Sequence, residues 1–126
     1  MSVKRILVID DEDDIREVAT VSLETVGGWE VMTANGGAQG IAIAEREQPD
    51  AILLDVMMPE MDGPTTLQNL QANAATRNIP VILLTAKVQS ADRRRLADLG
   101  AKAVLAKPFD PLTLADEVAG VLGWQV

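Results

Sequence analysis

The sequence predicts an α/β fold built on a five-stranded parallel sheet with helices on both faces. Three observations carry this expectation. Five short aliphatic runs recur along 126 residues, helix-period stretches separate them, and four of the runs lack the polar alternation of a strand with one wet face. Strand and helix alternating five times imply right-handed crossovers and strands covered on both sides.

The runs are RILVI at 5–9, WEVMTA at 29–34, AILLD at 51–55, VILLTA at 81–86 and AVLAK at 103–107. After the first, Ile15, Val18, Ala19, Ser22, Leu23 and Val26 follow a helical period that stops at Gly27-Gly28. The second helix lies within GGAQGIAIAEREQ and ends before Pro49. Its apolar stripe is Ile41 and Ala44, extended to Ala38, and its glycines make it the weakest of the five. A third spans about Thr65 to Asn73. A fourth runs from an N-cap at Ser90 to Leu99, with Gly100 just beyond. The fifth starts at Asp110-Pro111, a cap followed by proline, and carries Leu114, Val118, Val121 and Leu122.

Composition narrows the function. With 48% apolar residues but only Trp29, Phe109 and Trp124 aromatic, the core must be aliphatic. One domain, residues 1–126, is expected, with no effector domain. A net charge of −8 argues against a nucleic-acid partner. The absence of cysteine excludes disulfides and thiolate metal sites, and the absence of histidine removes the commonest general base. No apolar stretch approaches the ~18 residues of a membrane span, and the run after Lys4-Arg5 is too short for a signal peptide. A cytoplasmic protein without a membrane partner is expected.

The rule that ligands sit beyond the carboxyl ends of the strands in an open α/β sheet selects Asp10, Asp11, Asp55, Thr85 and Lys107. Like charges as close as Asp10 and Asp11 repel, so their clustering needs an offset, and three carboxylates form a hard oxygen site suited to Mg²⁺. Asp55 sits at its strand end in DVMMPEMDG, where the loop of Pro59 and Gly63 is expected to leave the carboxylate accessible. Such a carboxylate can attack a phosphoryl group to give an acyl phosphate, with metal and lysine balancing the oxygen charges and Thr85 donating a hydrogen bond.

The acidic pair Asp10-Asp11, Asp55 in LLDVMMPEMDG, Thr85 in VILLTA and Lys107 in KPF occur in the order and spacing of a known family: the sequence resembles a two-component response-regulator receiver domain over its whole length. The resemblance implies a flavodoxin-like sheet of order 2-1-3-4-5 and a cis Lys107-Pro108 bond. It implies Asp55 as phosphoacceptor, and Mg²⁺ held directly by Asp11, largely through water by Asp10, and by Asp55 and the Met57 backbone carbonyl. Lys107 would pair with the phosphoryl group. The implied role is a signalling module, not a turnover enzyme, phosphorylated by the phosphohistidine of a sensor histidine kinase or phosphotransfer protein, or by acetyl phosphate. It would act as a monomer or weak dimer on a downstream protein through the face of helix four, strand five and helix five.

The sequence departs from the family at Val104, where an aromatic residue often swings inward on activation. Met57 and Lys87 lie where the family tunes phosphoryl lifetime. Other readings bear on individual residues. Asp13 and Asp14 need only the helix dipole, Arg93, Arg94 and Arg95 form either a partner contact or a solvated run, and Met57, Met58 and Met61 read as loop and core packing. Two other functions compete. A phosphatase using an aspartyl phosphate commonly has a second acid two residues after the nucleophile, where this chain has Met57. A phosphorylation-independent interaction module would have no need of the acidic pair, Asp55, Thr85 and Lys107. A dinucleotide-binding protein would place glycines, not acids, after the first strand.

Overall fold

The computed structural model describes residues 3–86 and 90–125, with the backbone alone at Ser90. Five strands, β1 (Arg5–Ile9), β2 (Glu30–Ala34), β3 (Ala51–Asp55), β4 (Val81–Thr85) and β5 (Ala103–Ala106), pair in parallel in the order β2-β1-β3-β4-β5. The helices α1 (Asp13–Thr25), α2 (Gly37–Glu47), α3 (Gly63–Ala72), α4 (Ser90–Ala97) and α5 (Leu114–Leu122) alternate with them.

The aliphatic runs produce two cores, one on each side of the sheet. Leu7, Ile9, Ile52, Leu54 and Leu83 point to the side covered by Ala44 of α2, Leu67 and Leu70 of α3 and Leu96 of α4. Ile6, Val8, Leu53, Ile82 and Leu84 point to the side covered by Ala19 and Leu23 of α1 and by Leu114, Ala115 and Val118 of α5. Successive strand residues face opposite ways, so a strand buried on both sides must be apolar at every position. Every residue of β3 and β4 is buried, whereas β2 and β5 at the sheet edges are only partly covered.

Several boundaries shift from the sequence expectation for local reasons. Helix α3 starts at Gly63, two residues early, because the Asp62 carboxylate accepts the Thr65 N–H at 2.8 Å and Pro64 occupies the first turn. Helix α5 starts at Leu114, later than expected. Asp110 does not cap it but closes the preceding turn, its carboxylate accepting the Leu112 N–H at 2.8 Å. Helix α4 ends at Ala97, after which tighter backbone bonds lead to Gly100 at φ +101. The side chain of the expected cap Ser90, and all of Lys87, lie outside the described residues.

Two apolar stripes are narrower than the periodicity suggested. On α1, Ala19, Ser22 and Leu23 are buried, while Val18, and Val26 just past the helix end, are exposed. On α2, Ala38 faces solvent, and the contact surface includes the two glycines themselves. A methyl group on Gly40 would run into the Ile9 side chain, and one on Gly37 into Thr66 and Met61. Glycines that weaken the isolated helix thus allow it to approach the sheet.

Gly63 has the same role against backbone. A Cβ there would lie 2.5 Å from the Asp55 carbonyl oxygen and 2.7 Å from Val56 Cα, and the Gly63 N–H donates to the Val56 carbonyl at 2.9 Å. Backbone cannot yield as a flexible side chain does. Gly63→Ala is therefore expected to destabilise the fold by about 1–3 kcal/mol through overpacking, seen as a lower urea midpoint at unchanged slope. An unchanged midpoint would show that the β3–α3 connection tolerates the displacement.

Candidate phosphoryl-transfer site

Chain winding places the site. From β1 the chain goes to β2 on one side and returns to β3 on the other, so the crevice beyond β1 and β3 is the switch point of the sheet. Ile9 pairs with Leu54 and Asp55 with Leu84, so Asp10, Asp55 and Thr85 follow one another across neighbouring strand ends. The Lys107 N–H donates to the Thr85 carbonyl at 2.9 Å and extends the ladder beyond β5. The Lys107-Pro108 bond is cis.

Carboxylate oxygens of Asp10, Asp11 and Asp55 lie within 4.8 Å of one another. Asp10 and Asp55 are buried, at 0% and 2% exposure, while Asp11 is exposed. The expectation that the Pro59–Gly63 loop leaves Asp55 open is therefore corrected. The carboxylate is covered, and Lys107 sits upon it.

Lys107 Nζ donates to Asp10 Oδ2 at 3.1 Å, Asp55 Oδ1 at 3.2 Å and Glu12 Oε1 at 3.4 Å. At an effective dielectric of about 20, each of the two buried contacts is worth roughly 5 kcal/mol of attraction, and the Asp10–Asp55 repulsion about 3–4 kcal/mol. The lysine therefore outweighs the mutual repulsion of the buried pair. Burial alone would push its amine down, but the hydrogen bond and charge of Asp10, joined by Asp55, hold it above the ordinary range. Burial and the Asp10 charge push the Asp55 carboxyl up to about 6 against the opposing pull of Lys107.

One atom remains unmatched among the described residues: Asp55 Oδ2 is buried without a hydrogen-bond partner. A buried carboxylate oxygen in that state is costly unless a ligand completes it. The all-oxygen donor set, the clustered negative charge and this orphan fit a hard divalent cation. Thr85 is buried at the end of β4, and the Met57 side chain is exposed. Val104 is buried in β5, and its carbonyl accepts Arg93 Nη2 at 2.9 Å. Of the arginine run, Arg93 thus turns back onto β5 and Arg95 pairs with Asp92 at 2.5 Å.

Sequence reasoning missed Glu12 and Arg16. Arg16 Nη1 donates to the Asp10 carbonyl at 2.7 Å, and its other terminal nitrogen pairs with Asp13, tying the first turn of α1 to the end of β1. The i,i+3 spacing of Asp13 and Arg16 was a readable signal for the pair. The turn that aims Glu12 at Lys107 was not, because it depends on contacts almost a hundred residues apart.

The profile of the response regulator receiver domain family matches residues 6–119, and the chain belongs to that family. Such carboxylate clusters serve receivers in their own phosphorylation and dephosphorylation rather than in multi-turnover catalysis. The chain is 41% identical over 118 residues to the DNA-binding dual master transcriptional regulator RpaA of Synechocystis, covering 94% of this chain and 48% of that protein. It is 44% identical over 110 residues to the response regulator PleD of Caulobacter vibrioides, covering 87% of this chain and 24% of that one. The chain thus spans about half or less of the curated relatives it matches. Among solved structures, the chemotaxis regulator CheY4 of Vibrio cholerae superposes with a TM-score of 0.87 at 29% identity, covering 95% of this chain and 99% of that one. The receiver domain of a histidine kinase from Syntrophus aciditrophicus gives 0.83 at 31%, covering 96% and 91%. Among the described residues, no helix is long and apolar enough to cross a membrane.

The raised Asp55 carboxyl has a definite sign in stability. The native state holds that proton more tightly than the unfolded chain, so metal-free stability falls as pH rises from the ordinary 3.8 through about 6 and stays lower above. Asp55→Asn removes this loss. Its melting temperature relative to wild type is expected to be more favourable near pH 7.5 than near pH 4 in metal-free buffer, whereas an equal difference at both would contradict the buried, strained carboxylate.

Proposed function

We propose that these 126 residues act as one signalling unit in which the Asp55 carboxylate accepts a phosphoryl group and the phosphorylated form changes its affinity for a partner protein. The observation that carries this reading is the buried, unpartnered Asp55 Oδ2 beside an oxygen already engaged by Lys107. A carboxylate oxygen attacks phosphorus, the bond from phosphorus to the donor nitrogen or oxygen breaks, and its electron pair leaves with the donor. The donor is a phosphohistidine on a sensor kinase or phosphotransfer protein, since the chain has no histidine of its own, or a small acyl phosphate.

Asp10, Asp11, Asp55 and the Met57 carbonyl would hold Mg²⁺. When bound, the ion supplies charge neutralisation for the phosphoryl oxygens. Lys107 supplies a second positive charge from just beyond the carboxyl end of β5, and the Thr85 hydroxyl donates to the same group. With Val104 in β5, no aromatic ring is available at that position to report the change. Output then passes through Thr85 and the α4–β5 contact made by Arg93 to the surface of α4, β5 and α5. The acidic charge of the chain favours a protein there over a nucleic acid, and the unit works as a monomer or weak dimer in the cytoplasm.

Incubation with acetyl phosphate and Mg²⁺ is expected to add one phosphoryl group by intact mass, and none after Asp55→Asn; equal labelling of the two would sink the assignment. Mg²⁺ at about 100 times its dissociation constant should stabilise the fold by roughly 2.7 kcal/mol. A melting temperature indifferent to Mg²⁺ would remove it from the site.

A further inference from the structure

We propose that Glu12 is a positioning residue that holds Lys107 across the mouth of the pocket and thereby sets how readily small anionic phosphoryl donors reach Asp55. The inference rests on the roles of Asp55 and Lys107 given above.

An ammonium has three N–H donors, and the three carboxylates around Lys107 occupy all of them. A phosphoryl oxygen can take one only if a present contact is released. Asp10 and Asp55 are buried, so either would be left desolvated without its counter-charge. Glu12 differs. Its side chain is 60% exposed, its contact is the longest of the three at 3.4 Å, and water takes over its solvation as soon as the pair opens. Glu12 is therefore the partner that exchanges.

Its placement is specific. Glu12 occupies the N-cap position of α1, yet its side chain makes no capping bond. The backbone is fixed from both directions: its N–H donates to Asp10 Oδ1 at 2.9 Å, and its carbonyl accepts the Arg16 N–H at 3.1 Å. A residue suited to capping, such as serine or aspartate, would turn back onto the helix. Glutamate is long enough to reach Lys107 instead. Until displaced, its carboxylate competes with an incoming phosphoryl anion for the lysine and repels that anion from the rim.

The test compares wild type, Glu12→Gln and Glu12→Asp at saturating Mg²⁺ by initial rate of labelling, with dianionic acetyl phosphate and with singly charged phosphoramidate. Removing one unit charge a few ångströms from the donor should accelerate acetyl phosphate labelling about five-fold at low ionic strength in Glu12→Gln. The gain should be smaller with phosphoramidate and should close toward wild type near ~0.5 M salt. Beryllofluoride, which does no chemistry, should bind the variant more tightly in calorimetry. Glu12→Asp keeps the charge but falls a methylene short of Lys107, and should show part of the gain. Wild-type rates in Glu12→Gln, or an equal gain with both donors, would overturn the proposal. So would a wild-type rate in Glu12→Asp beside a faster Glu12→Gln, which would leave charge without contact. Absence of labelling in wild type itself would instead overturn the Asp55 assignment on which the proposal rests.

Discussion

The ammonium of Lys107 makes this arrangement of carboxylates tenable. Two acids held at the ends of adjacent buried strands repel each other, and neither can turn to water without breaking the sheet that holds it. A single cation delivered from β5, across the intervening β4, meets both at 3.1–3.2 Å. The acids come from β1 and β3 and the cation from beyond β5, so the site exists only when the sheet is complete.

The balance is incomplete in a useful direction. Lys107 satisfies one oxygen of Asp55 and leaves the other buried and unpaired among the described residues, while burial and the neighbouring Asp10 charge raise the proton affinity of Asp55. The pocket retains more negative charge than its own cation neutralises. That surplus is what a divalent ion would offset, and the added charge of an acyl phosphate formed on Asp55 would be balanced by the same ion together with Lys107. Glycines at 40 and 63 contribute through close approach, since they let α2 close on β1 and the β3–α3 turn close over the backbone of Asp55.

Much of this was legible in the chain. The five aliphatic runs locate the strands within a residue or two, most sharply for β1, β3 and β4, because a strand covered on both faces must be apolar at each position, a pattern that few other elements of that length share. The strand-end acids, threonine and lysine could be named because polar residues at the end of such a run have only the crevice to occupy. The helix boundaries were less legible. Whether Asp62 or Asp110 caps a helix depends on which backbone N–H groups its side chain meets, and Asp110 meets those of a turn.

The sequence by itself determined the strand pattern, the aliphatic core, the acidic charge and the identities of Asp10, Asp11, Asp55, Thr85 and Lys107, since these follow from local periodicity and residue chemistry. Tertiary structure alone decided that Asp55 is covered rather than open, that one of its oxygens lacks a partner among the described residues, and that Glu12 and Arg16 lie beside Asp10 and Lys107. The physical reason is range. Burial and the sharing of one cation among three carboxylates are set by contacts between residues as many as 97 positions apart, which no local pattern encodes.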